Sequence, residues 1–166
     1  MKPVETLPNH AETTLRLPAS PSAAFGYLDD HARLSSHMSR SSWMTAGSRM
    51  TIESDAAKGQ AIGSVIRLRG RMLGIRLSVD EVVSDRQVPD GKTWETIGTP
   101  HLLVIGQYRM GFAIIAQGQE SVLRVFIDYA LPETWPARWL GRLLGRFYAR
   151  WCTVSMAKDA ARHFQH

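Results

Sequence analysis

Polar and apolar residues alternate early in the chain: Thr13, Leu15 and Leu17 are interleaved with Glu12, Thr14 and Arg16. This is the pattern of a strand buried on one face. Pro18 stops it, and Ser20-Pro21-Ser22 supplies a helix start, with a serine able to cap and a proline suited to the first turn. Ala24, Phe25, Leu28, His31 and Leu34 then recur at helical spacing, which predicts a short helix or a broken pair ending near Ser35-Ser36-His37-Met38. From Arg49 to Leu131 the period changes to two. Ile66 and Leu68 oppose Arg67 and Arg69; Ile75, Leu77, Val79 and Val83 oppose Arg76, Ser78 and Asp80. Tyr108, Met110, Phe112 and Ile114 alternate with Gln107, Arg109 and Gly111, and Leu123, Val125, Ile127 and Tyr129 with Arg124 and Asp128. Breaks at Pro89-Asp90-Gly91, Thr99-Pro100 and Gln117-Gly118-Gln119 read as hairpin separators. The pattern predicts about six antiparallel strands with one apolar face. After Pro132 the period is helical, with a start near Thr134-Trp135-Pro136 and Leu140, Leu143, Leu144, Phe147, Trp151 and Val154 on one stripe. A helix of about 28 residues is about 42 Å long, enough to cross the whole face of a sheet.

The order strand, short helices, antiparallel strands, long terminal helix is that of the helix-grip fold. The segment Leu17-Pro18-Ala19-Ser20-Pro21-Ser22-Ala23-Ala24-Phe25-Gly26-Tyr27-Leu28-Asp29-Asp30-His31 resembles the opening of the START-like SRPBCC superfamily of polyketide cyclases, lipid-transfer domains and ligand-binding proteins. The closing run Leu140-Gly141-Arg142-Leu143-Leu144-Gly145-Arg146-Phe147-Tyr148-Ala149-Arg150-Trp151-Cys152 is similar to its terminal helix. The resemblance covers residues 10–164. It implies an α+β fold, a curved antiparallel sheet wrapped around the C-terminal helix with short N-terminal helices, and an apolar cavity between sheet and helix. It implies no shared catalytic motif. Residues 1–8, with two prolines and no period, are expected to form a flexible arm ahead of a single domain at 9–166.

Composition narrows the function classes. The chain has 166 residues, 44% hydrophobic and 21% charged, an ordinary globular mixture. Its longest stretch without Asp, Glu, Lys or Arg, Thr96 to Tyr108, is too short to span a bilayer. Met1-Lys2-Pro3-Val4-Glu5 leads into polar residues rather than a secretory apolar run, so a cytoplasmic protein is expected. The single cysteine, Cys152, excludes an internal disulfide framework and a Cys-based zinc site. A net charge of +5, carried largely by arginine, permits anionic partners without naming one.

No phosphate-binding glycine loop, nucleophile elbow or HExxH motif is present. His31 and His37 with Asp29 and Asp30 do not share a helical face, and they read as solvated helix-end residues rather than a metal cluster. His163 and His166 lie at a fraying terminus. His101 is expected at a strand turn on the cavity rim, where an imidazole can serve as hydrogen-bond donor, acid or base. Alternation sends Glu95 and Asp128 outward, as partners of Arg109 or Arg124. The stronger signal is a set of large, flat or flexible side chains on inner faces and nearby loops: Met38, Trp43, Trp94, Tyr108, Met110, Phe112, Tyr129, Phe147 and Trp151. With His101 they form the candidate ligand-binding set.

Arginines fall on two surfaces. Arg67, Arg69 and Arg71, with Arg76, Arg109 and Arg124, are predicted on the outside of the sheet; Arg138, Arg142, Arg146 and Arg150 recur every four residues on the long helix, near Trp135 and Trp139. Such surfaces suit an anionic membrane or RNA, though arginine stems also serve as a solvated cover. Gly141, Gly145 and Ala149 form a line of small residues beside them, which points to close approach by another backbone, either the N-terminal helices or a second subunit. The sequence thus predicts a binding module for a hydrophobic small molecule, such as a lipid, an isoprenoid or an aromatic polyketide-like compound. The alternatives are a cyclase- or dehydratase-type enzyme using the same cavity, and an interaction protein that engages RNA, the ribosome or an anionic membrane. No cofactor and no metal are expected, and a homodimer is compatible with the pattern.

Overall fold

A computed structural model of the chain describes residues 7–36, 49–72 and 74–166. Strand β1 (Asn9–Leu17) is followed by helices α1 (Pro21–Leu28) and α2 (His31–Leu34). Strands β2 (Arg49–Ser54), β3 (Val65–Met72), β4 (Ile75–Gln87), β5 (Gly91–His101), β6 (Tyr108–Gln117) and β7 (Glu120–Tyr129) come next, and helix α3 (Ala137–Phe164) closes the chain. The strands form one seven-stranded sheet in the order β1-β7-β6-β5-β4-β3-β2, antiparallel throughout. Sequential strands pair as neighbours, and only β1 crosses to the far edge, beside β7.

Local chemistry explains the elements. Ser20 caps α1, its hydroxyl accepting the Ala23 amide at 3.3 Å, with Pro21 in the first turn. The predicted broken pair of helices divides at Asp29–Asp30, where Asp30 caps α2 by accepting from the amides of Ala32 and Arg33. Alternation holds on the long strands: Leu17, Leu68, Val79, Val83, Phe112, Leu123, Val125 and Ile127 are all buried on the concave face. Each such aliphatic or aromatic side chain contributes about 1.5–3 kcal/mol by leaving water. The outer face carries the expected cross-strand charges: Arg69 pairs with Asp80 at 2.7 Å, Arg124 with Glu12 at 2.5 Å, and Arg109 with Asp128 at 3.9 Å. Exposed as these are, each is worth about 0–1 kcal/mol.

Thr99-Pro100 is not a hairpin separator: β5 runs through both residues to His101, and the connection to β6 lies at 102–107. The buried stripe of α3 is also different. Leu143, Leu144 and Phe147 face solvent, and the residues against the sheet are Gly141, Gly145, Ala149, Cys152, Thr153, Met156, Ala157 and Ala160. A helix lying this close to a sheet needs small side chains at the contact, so packing overrides the hydrophobic stripe. The backbone that approaches the glycines is neither an N-terminal helix nor a second subunit. A Cβ on Gly141 would stand 2.8 Å from the Val104 carbonyl oxygen and 2.9 Å from Pro132 Cδ; one on Gly145 would stand 3.1 Å from the same oxygen. The β5–β6 connection is therefore clamped directly against α3.

Candidate functional site

Among the described residues, two recesses lie at this end of the sheet. The outer one is a cleft of about 630 Å³ between the start of β4, the end of β5, the β5–β6 connection and the segment leading into α3. Ile75, Leu77, Pro100, Leu102, Leu103 and Leu131 make much of its wall apolar, while Arg76, His101, Gln107 and Glu133 supply polar groups. That volume falls in the range of sites for small organic ligands. The inner recess, about 30 Å³, lies under α3 and is lined by Trp94, Ile105, Tyr108, Met110, Met156 and, at its polar end, Glu81. Leu102 lines both, so it stands at the boundary between them.

Glu81 and Tyr108 meet on the wall of the inner recess, and His31 joins them through Glu81. Glu81 (β4) accepts the Tyr108 (β6) hydroxyl proton on Oε1, and its Oε2 lies 3.0 Å from Nε2 of His31 (α2). Glu81 and His31 are both buried. Tyr108 has its hydroxyl pKa pushed well above the usual phenol value, first by burial and then by the Glu81 charge, which fixes it as the donor. His31 Nδ1 is buried without a partner. That suits the tautomer with its proton on Nε2, which donates to Glu81 and leaves only a lone pair on Nδ1. The Trp94 ring meets the His31 ring edge-on, with centroids 5.0 Å apart. Ser35, Tyr148 and Cys152 complete the polar lining; burial pushes the Tyr148 hydroxyl well up and the Cys152 thiol to about 12, so these two groups stay protonated.

A second buried cluster braces the first. Lys92 (β5), 1% exposed, donates to the Asp29 carbonyl at 2.9 Å, the Gly59 carbonyl at 2.8 Å and Asp29 Oδ1 at 3.3 Å. Arg86 (β4) grips the same carboxylate through Nε at 3.1 Å and Nη2 at 2.7 Å. Burial opposes ionisation of Asp29, but the Arg86 hydrogen bonds and the Lys92 charge outweigh it and hold its carboxyl below the ordinary range. Burial lowers the Lys92 pKa, and Asp29 offsets this in part. All three donors of the Lys92 ammonium are engaged, so its role is to tie α2's entry and the 55–64 loop to the sheet.

The structure therefore divides the sequence-predicted set. Trp94, Tyr108 and Met110 line the inner recess, and His101, 3.4 Å from Ser78 Oγ, lines the cleft. Phe112 is core, edge-on to Phe25 with centroids 5.7 Å apart. Tyr129 is buried beneath Gly145, and Trp151 leans on Tyr148; neither lines either recess. Phe147 is 69% exposed and points away from the cavity, because the α3 stripe is turned. Met38 and Trp43 lie outside the described residues. Asp29 and His31 are buried and paired across the fold, not solvated helix ends. Sequence reasoning missed Glu81 although the signal was present: it shares parity with Leu77, Val79 and Val83, which places a carboxylate on the apolar face.

No family model matches the sequence, and no curated protein is similar to it in sequence. Solved structures are similar in fold. One is TTHA0849 from Thermus thermophilus, with a TM-score of 0.66 at 13% identity over 95% of this chain and 97% of that one. Another is truncated norcoclaurine synthase from Thalictrum flavum, with a TM-score of 0.65 at 13% identity over 93% of this chain and 92% of that one. A third is Ara h 8.0201, with a TM-score of 0.62 at 12% identity over 95% and 97%. The chain has the helix-grip fold, the architecture implied by its resemblance to the START-like superfamily.

Proposed function

We propose that the protein binds a hydrophobic small molecule whose apolar body occupies the outer cleft and whose polar end reaches Glu81 once Leu102 moves aside. The observation that carries this reading is a buried carboxylate on the wall of a largely apolar recess, one side chain away from a cleft of about 630 Å³. A carboxylate has about four acceptor positions, and Tyr108 and His31 occupy two. The ligand that satisfies the rest carries a hydroxyl or amine donor on a lipid-like, isoprenoid or aromatic frame. Apolar burial supplies the affinity and Glu81 the orientation.

A second reading, acid–base catalysis of the cyclase or dehydratase kind, is favoured by the same His31–Glu81–Tyr108 chain. Its carboxylate and imidazole are both buried and share one hydrogen bond. Norcoclaurine synthase, by name an enzyme, is among the proteins of similar fold.

The test is native mass spectrometry of protein purified from its own host, followed by denaturing extraction. A reproducible apolar adduct with a donor group, lost on Leu102→Trp and weakened on Glu81→Gln, supports binding. An adduct indifferent to both substitutions contradicts this placement. Conversion of the extracted compound by wild type but not by Glu81→Gln selects the enzymatic reading.

A further inference from the structure

The first half of α3 is amphipathic in the opposite sense to a packed helix. Only Gly141, Gly145 and Ala149 are buried there, while Trp139, Leu143 and Phe147 recur every four residues on the solvent side, with Leu144 beside them. Trp139 is 58% and Phe147 69% exposed, and Trp135 stands exposed just ahead of the helix. Arg142, Arg146 and Arg150 keep the same spacing three residues on, so they run as a parallel row along the edge of the apolar one. Between Glu133 and Asp159 there is no acidic residue. Among the described residues no carboxylate lies within ion-pair distance of Arg138, Arg142, Arg146 or Arg150.

We infer that this face of α3 docks on the surface of an anionic lipid bilayer. An apolar row with Trp at its head and a cationic row at its flank is the arrangement that inserts at the acyl–headgroup boundary while pairing with lipid phosphates. A second copy of the chain fits poorly, because like helices would bring arginine rows together with no acid to neutralise them. RNA would satisfy the arginines but leave Leu143, Leu144 and Phe147 in water. No described helix is long and apolar enough to cross a membrane, so α3 lies on the bilayer rather than through it. Residues 132–134 and 137, which lead into this face, also line the cleft, so docking sets the cleft mouth at the lipid surface. The docking itself does not depend on what the cleft holds.

The experiment is vesicle flotation of the full chain with phosphatidylcholine alone and with about one part in three phosphatidylglycerol. Four surface arginines predict a preference of roughly 100-fold or more for the anionic vesicles, reversed by high salt. Trp139→Ser with Phe147→Ser, and separately Arg142→Gln with Arg146→Gln, are expected to reduce binding at least about tenfold with an unchanged melting temperature, since all four side chains are exposed. Failure to float, or equal flotation by wild type and both variants, overturns the inference. So does a dimer in light scattering that the Trp139/Phe147 variant makes monomeric, or arginine-dependent binding to polyuridylate without vesicle binding.

Discussion

Tyr108 and Glu81 are joined by a hydrogen bond that passes over an intervening strand: Tyr108 stands on β6, Glu81 on β4, and β5 lies between them. Strand neighbours are about 4.8 Å apart, so two strands on, side chains meet only where the sheet is strongly concave. The register sets the line. Glu81 pairs with Thr96 on β5, and the Thr96 hydroxyl accepts the Tyr108 amide at 3.2 Å. The curvature that grips α3 thus also brings the polar floor of the cavity together.

Removing the donor leaves a buried carboxylate oxygen unpaired. Tyr108→Phe is expected to cost about 1.5–3 kcal/mol in denaturant unfolding. A cycle with Glu81→Gln should return a coupling of about 1 kcal/mol or more. Additive losses would mean that the pair does not act as a unit.

Asp29 and Lys92 predict an asymmetry. Asp29→Asn deprives a fully buried ammonium of its counter-charge, at a cost of about 3–5 kcal/mol, whereas Lys92→Met leaves Asp29 paired with Arg86 and costs less. The pH dependence follows from the depressed Asp29 value: its contribution is present above the ordinary carboxylate value of 3.8 and is lost as pH falls through the lower folded value. Acid titration of stability should be shallower in Asp29→Asn than in wild type. An equal slope would assign the acid sensitivity elsewhere.

Cys152, its thiol pushed up to about 12 by burial, should resist alkylation at pH 8 in the native protein and react promptly once unfolded. Rapid native labelling with iodoacetamide would show that α3 opens from the sheet.

The α3 glycines are structural. Gly141→Ala gains about 1 kcal/mol of helix propensity but drives a methyl against the Val104 carbonyl and Pro132, so thermal unfolding should show a net loss of about 1–2 kcal/mol. Gly145→Ala, with its nearest contact at 3.1 Å, should fall much closer to neutral. Stabilisation by Gly141→Ala would contradict the clamp between α3 and the β5–β6 connection.

Much of this fold is legible in the sequence because period-two alternation is a local signal. Leu77, Val79 and Val83, or Leu123 through Tyr129, report their face without reference to any partner. The helix stripe is not local in the same way. Leu143, Leu144 and Phe147 form the more hydrophobic line, yet Gly141, Gly145 and Ala149 pack, because contact distance to Val104 and Leu131 decides the matter, and these lie on other elements. The same stripe draws Phe147 into the expected cavity set. The polar floor is hidden for a different reason. His31 and Glu81 are 50 residues apart along the chain, and Glu81 and Tyr108 are 27 apart; no spacing rule joins residues that a curved sheet brings together. A carboxylate amid valines reads as a surface residue, and only the parity of Glu81 says otherwise.

An apolar ligand that enters the cleft and is oriented by Glu81 must perturb the aliphatic side chains of the cleft wall. Methyl-resolved NMR titration with farnesol, a long-chain fatty alcohol and an aromatic phenol tests it most directly. Saturable shifts are expected at Leu77, Leu102, Leu103, Ile105 and Leu131 with at least one of these probes, and affinity reduced about tenfold or more by Glu81→Gln through loss of a charge-assisted hydrogen bond. Absence of saturable shifts with all three, or shifts confined to Leu143 and Leu144 on the outer face of α3, would contradict it.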